Sequence, residues 1–170
     1  AISVFAAFCL IIVIAFLAFS IDLGYLSVSE SNLQNAADSA AVSAARALPD
    51  REAATNAAIE WAAKNFAAGE NVTLQPEDVE FGIWDDTTAS FTVLEEEDDG
   101  TPNAVRINCR RDEENGKSLN LFFAPLLGTS HANMRVSAIA HKKSGSCGGI
   151  MAVSQINLKA YSGRQTEGDS

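Results

Sequence analysis

Residues 1 to 21 contain no charged side chain, and no proline occurs before Pro49. Basic residues are scarce throughout: 12 lysines and arginines stand against 22 aspartates and glutamates, for a net charge of −10. Binding a phosphate backbone needs clustered Lys and Arg, and Arg110–Arg111 and Lys142–Lys143 are too short to supply it. This argues against nucleic acid as a partner. The three cysteines, Cys9, Cys109 and Cys147, form no CxxC pair, and His131 and His141 stand at no ligand spacing, so a zinc site is not expected. There is no G-x-S-x-G elbow. The glycine-rich "SGSCGG" at 144–149 lacks the lysine and following helix of a phosphate loop and reads as a flexible connection. The acids of "LEEEDDGTPN" (94–103) are consecutive, whereas a calcium loop spaces its ligands, so they read as a solvated hairpin loop. Neither enzyme chemistry, nor a cofactor, nor a metal is indicated.

What the chain does have is an apolar start. A helix needs about 20 apolar residues to cross the roughly 30 Å hydrocarbon core of a bilayer, and residues 1–21 meet that length. A secretory signal peptide would show a basic start, a shorter apolar region and a small-residue cleavage site, none of which is visible. A buried core helix of this length is unusual in so small a chain. The favoured reading is a membrane segment. Because the chain starts at Ala1 instead of Met, a basic leader is expected to have been removed. Such a leader would place the N-terminus inside and the acidic remainder outside. Within the segment Cys9 packs like alanine. Cys109 and Cys147 fall in the exported part, where oxidation is permitted, and form a candidate disulfide pair.

Beyond the apolar segment, Leu26, Leu33, Ala37, Ala40, Ala44 and Ala47 form a heptad-type seam, with Ser29, Asn32, Asn35, Ser39, Ser43 and Arg46 on the other faces. A helix from Ala1 to Leu48 would be roughly 72 Å long, with Gly24 its weakest point. Its alanines would admit either a neighbouring helix or the chain's own domain. Residues 50–68 read as a second helix, with Asp50 as N-cap, Gly69 as stop and a stripe of Ala54, Ala58, Trp61, Ala62 and Phe66. Period-two alternation then predicts strands at 78–84, 89–94, 104–110 and 134–142, with 118–128 a strand followed by a short helical turn and 156–161 a weaker strand. Asp85 and Asp86 mark a turn, and Asn71-Val72-Thr73 is a formal glycosylation triplet. Helices followed by strands define an α+β fold: a long N-terminal helix, a second helix and an antiparallel sheet. The expected division is 1–48 as the long helix, 49–148 as the head, and 149–170 as a C-terminal strand and polar tail.

The stretch from Ser20 to Leu48 resembles the TadE/TadG-like family of tight-adherence (Flp) pilus assembly proteins. An apolar helix there runs through a "-DLG-" element, here Asp22, Leu23 and Gly24, into "LQNAAD", here Leu33, Gln34, Asn35, Ala36, Ala37 and Asp38. Downstream, "VEFGIWD", "AVRINCRR", "LNLFFAPLLG" and "VSAIAHK" are similar to TadG-like members. The resemblance implies a single-pass, pilin-like protein, processed by a prepilin-type peptidase and working with the pilus assembly machinery. Position five, where ordinary type IV pilins carry glutamate, is Phe5 here. The expected function is a structural subunit of an extracellular filament, polymerising with identical subunits through the apolar helix after residence in the membrane. The alternative is a minor assembly protein retained in the inner membrane. In a filament, an axial stagger of roughly 31 Å would bring Asp22 of one subunit beside Ala1 of another.

Overall fold

A computed structural model describes residues 2–95, 100–113, 117–125, 128, 131–142 and, for the backbone alone, 126–127 and 150–155. With no proline before Pro49, helix α1 runs unbroken from Ile2 to Ala47, straight through Gly24. After the turn at Leu48–Pro49, α2 (Arg51–Ala63) starts where the Asp50 carboxylate accepts the Ala53 N–H at 3.0 Å. Glu52 in its first turn suits the positive end of the helix.

The second helix ends five residues before its expected limit. Two asparagine amides cap its last carbonyls, Asn65 donating to Trp61 O at 2.8 Å and Asn71 to Ala63 O at 2.7 Å. The chain then forms a small hairpin, β1 (Phe66–Ala67) and β2 (Glu70–Asn71). Ala68 and Gly69, at φ 53° and 82°, form its two-residue turn, the backbone that twisted hairpins favour. Gly69 therefore closes a hairpin rather than a helix. The buried stripe of α2 is Ala54, Ala58 and Ala62, while Trp61 and Phe66 are exposed.

Five strands make the main sheet: β3 (Val79–Asp85), β4 (Ser90–Val93), β5 (Ala104–Arg111), then, after the short pair β6 (Leu119–Asn120) and β7 (His131–Ala132), β8 (Met134–Lys142) and β9 (Ile150–Gln155). The order is β4-β3-β5-β8-β9, antiparallel throughout, and this is an α+β fold. A 3-10 turn, Ala124–Leu127, follows β6. The strand expected at 156–161 lies outside the described residues, as does the "SGSCGG" segment; the edge strand observed is 150–155.

Alternation decides which sheet face meets the helices. Val105, Ile107 and Cys109 of β5 pair with Ala140, Ala138 and Val136 of β8 and belong to the core shared with α1. The far half of α1 enters that core with Leu33, Ala36, Ala37, Ala40, Ala41, Ala44 and Ala45, all at 0% exposure. Alanine on the helix opposite Ala138 and Ala140 lets the two backbones approach closely, and α2 closes the other flank with its own alanines. The buried side chains of α1 between Ser29 and Leu48 are thus part of the head's core. Ser29 and Ser43, expected on polar faces, are buried because α1 is covered on more than one side.

The opposite sheet face carries a second small cluster, in which Trp84, Ala104 and Ile139 pack with Phe91. Phe91 lies over Gly82, where an added Cβ would meet a ring carbon at 2.5 Å, so the missing side chain makes room for the aromatic.

Candidate functional site

Among the described residues, none buries residues 2–21 of α1. Thirteen large apolar side chains between Ile2 and Ile21 are exposed, from Ile2 at 87% to Ile12 at 41%. At about 1.5–3 kcal/mol for each such side chain taken out of water, the segment gains on the order of 20–40 kcal/mol by finding an apolar environment. That magnitude exceeds the net stability of a typical domain, so residues 2–21 do not stay in water. By length and composition this helix is able to cross a membrane. Ser20, near the end of the segment, folds its hydroxyl back to Phe16 O at 2.8 Å, which satisfies a polar group without a partner from outside.

The first charge after the segment is Asp22, and it is buried at 4% exposure. Its carboxylate accepts three backbone N–H groups from the segment after β6: Phe122 at 2.9 Å, Phe123 at 3.0 Å and Ala124 at 2.7 Å. Burial pushes the carboxyl upward, but the three hydrogen bonds outweigh it and hold the group below its ordinary value. One helical turn further on, Tyr25 packs against Phe122 with ring centroids 5.3 Å apart. A cavity of about 250 Å³ beside this contact is lined by Tyr25, Glu70, Arg111, Lys117 and Phe122 among others. The Arg111 end of β5 is therefore the end nearest the exit of the apolar helix. Arg111 itself is buried, held by Glu70 at 2.6 Å, by Lys117 O at 3.2 Å and by the Ala67 carbonyl.

The residues singled out by the sequence fall as follows. Of the "-DLG-" element, Asp22 is the clamp, while Leu23 and Gly24 are exposed and Gly24 has nothing within 4 Å of the position a Cβ would take. Of "LQNAAD", Leu33, Ala36 and Ala37 are buried; Gln34 donates to Asp38 at 2.9 Å and to Ser137 O of β8 at 3.4 Å; Asn35 is exposed. Within the seam, Leu33, Ala37, Ala40 and Ala44 are fully covered by the chain itself, and Leu26 and Ala47 are half-buried. Asp22 serves its own loop, so the carboxylate is already occupied where the stagger between subunits would have used it. Cys109 is a buried thiol whose pKa burial, Asp78 and Asp38 together raise to about 12. Cys147, its candidate partner, lies outside the described residues, as do positions 96–99 of the acidic run.

His131 meets Asn120 at 2.8 Å, and His141 stacks on Trp84 at 5.3 Å, at opposite ends of the β7–β8 run. Among the described residues no group of three or more His, Cys, Asp or Glu is placed to hold a metal. Sequence reasoning passed over the partners of Asp22. The signal was there in two halves: a lone carboxylate immediately after an apolar span, and a charge-free "SLNLFFAPLLG" in an otherwise acidic chain.

The fold and this junction define a class: a membrane-type helix, the one such helix among the described residues, that continues without a break into the core of an acidic α+β head. Residues 27–140 match the Tad-like Flp pilus-assembly family, and residues 1–47 match the Flp pilus-assembly TadE/G-like family. The chain belongs to the Tad-like Flp pilus-assembly family. No curated protein and no solved structure matched it. One apolar helix in a pilus-assembly protein fits a membrane-anchored or surface-exposed molecule.

Proposed function

We propose that this chain is a structural, membrane-anchored component of a Tad-type pilus apparatus, with α1 as anchor, the N-terminus on the inner side and the acidic head outside. It works by holding and presenting that head to the pilus machinery, without catalysis. One observation carries the choice of the membrane-retained reading over the filament subunit: the alanine face of α1 is covered by the chain's own α2 and sheet. A filament built on extended helix–helix packing would draw on that face, and what α1 leaves uncovered for it is mainly residues 2–21, with Leu23 and Val28 beyond them. The uniformly apolar surface of 2–21 favours the second reading, because identical helices would bury it as well as lipid does.

The test is fractionation of piliated cells producing the tagged chain. The protein is expected in the membrane fraction, with sheared pili lacking it or carrying it in trace amounts. Finding it along sheared fibres as a major protein would replace the anchor by the filament subunit.

A further inference from the structure

We propose that the segment from Leu121 to Pro125 is a second membrane contact, dipping Phe122 and Phe123 into the headgroup–acyl boundary beside the point where α1 leaves the bilayer. This rests on the reading of residues 2–21 as a membrane span.

Position is the first argument. Asp22 lies one residue, about 1.5 Å of helical rise, beyond Ile21, the last residue of the apolar segment. The backbone nitrogens of Phe122 and Phe123 are 2.9 and 3.0 Å from its carboxylate. Both rings are therefore attached at the level where a membrane-spanning α1 emerges, and three hydrogen bonds fix them there. Exposure is the second argument. Phe122 is 66% and Phe123 37% exposed, so both rings are uncovered beside the exit of the apolar helix. They adjoin an apolar surface that already demands lipid, so the patch continues an interface the helix has begun. Chemistry is the third. From Ser118 to Gly128 there is no charged residue, in a chain of net charge −10. A segment that approached headgroups with the average composition of this head would bring carboxylates with it; this one brings none. Tyr25, packed against Phe122, adds the amphipathic ring that membrane interfaces favour.

The consequence is mechanical. A single helix leaves a head free to tilt and spin about its axis. A second contact, clamped to that helix through Asp22, fixes which side of the head faces outward.

The full chain, reconstituted in phosphatidylcholine vesicles with bromines on either shallow or deep acyl carbons, tests this by tryptophan quenching. Native Trp61 lies beside Val42, about 30 Å beyond Asp22 along α1. Trp84 stacks on His141, next to the Lys142 that reaches Leu48 O, at the same far end. Wild-type emission is therefore expected to be unquenched. Emission added by Phe122→Trp, and separately by Phe123→Trp, should be quenched about twofold more by shallow than by deep bromines, as expected for interfacial aromatics. Ile12→Trp should be quenched most by deep bromines and reports the span alone. Quenching of Ile12→Trp without quenching at 122 or 123 would overturn the docking and leave the anchor intact. No quenching at any of the three would remove the anchor and the docking together. Protection of position 122 that appears only at high protein-to-lipid ratio would assign the surface to a second copy of the chain and overturn the lipid contact.

Discussion

Asp22 Oδ2 lies 2.7 Å from the backbone nitrogen of Ala124, joining positions 102 apart in the sequence at the junction of apolar helix and head. With Phe122 and Phe123 adding two more N–H donors, a single side chain neutralises a cluster of amides that has no strand partner. A neutral acceptor would satisfy such donors less strongly, since hydrogen bonds to an ionised group are about twice as strong. The clamp also explains how the short stretch from β6 into the 3-10 turn keeps a fixed place against α1.

Replacing Asp22 by Asn keeps the shape of the side chain but turns one acceptor into an NH2 group that faces donors. Asp22→Ala removes both acceptors. Amide hydrogen exchange at Phe122, Phe123 and Ala124 should speed up by about tenfold or more in either variant, because buried donors left without partners are costly. Exchange in β5 and β8 should change much less. Unaltered protection at 122–124 would show that the clamp does not hold the segment.

The same clamp gives the head an acid-sensitive joint. The folded pKa of Asp22 is depressed below the ordinary 3.8. The stability it contributes is therefore complete above that unfolded value and is lost as pH falls through the lower folded value. Protection at 122–124, taken relative to the intrinsic exchange rate at each pH, should be constant at neutral pH and fall below about pH 4, and Asp22→Asn should flatten that dependence. A wild-type profile no steeper than that of the variant would contradict this.

Much of the architecture was readable because it follows from periodicity. The strand at 104–111 alternates from Val105 onward, since one face meets alanines of α1 and the other meets polar partners such as the Glu80–Arg106–Asn108 set, whereas 138–141 of β8 is buried on both faces, between α1 and the Trp84 cluster. The long helix was readable from the absence of proline. Three features were not. The end of α2 is set by Asn65 and Asn71, whose side chains cap carbonyls across a hairpin, a non-local event that helix periodicity does not encode. The burial of Ser29 and Ser43 arises because two partners cover α1, whereas a seam of heptad type anticipates one. The Asp22 clamp joins a side chain to backbone amides, and backbone partners leave no residue-type signature.

Cys109 gives a prediction at the alkaline end. Burial first, then the carboxylates of Asp78 and Asp38, raise its pKa from 9.0 to about 12. A raised folded value means its contribution is whole below the unfolded pKa and is lost as pH climbs from about 9 to about 12. Chemical denaturation of the detergent-solubilised chain should show stability falling over that window, with the slope reduced in Cys109→Ala. Equal slopes would mean that the thiol does not ionise more easily on unfolding. Alkylation at pH 8 should leave Cys109 unmodified in the native chain, since it is 1% exposed.

The alanine face of α1 yields the sharpest test of where that face is used. Ala40 and Ala44 are fully buried against the chain's own elements, and the sheet opposite is itself built of Ala138 and Ala140. Neither side has room for three more carbons. Ala40→Leu or Ala44→Leu should therefore destabilise the isolated, detergent-solubilised chain by about 1–3 kcal/mol, the usual cost of overpacking a core. Ser31→Leu, at an exposed position of the same helix, should change stability by about 0.5 kcal/mol or less. The comparison must be made on dispersed chains, because that is where the two uses of the alanines differ. If the face packed against neighbouring subunits, leucine would leave the dispersed chain unharmed and damage assembly alone. Destabilisation of the dispersed chain at 40 and 44, with none at 31, places the contact within the head; three equal stabilities would mean the close packing of α1 on β8 has been wrongly drawn.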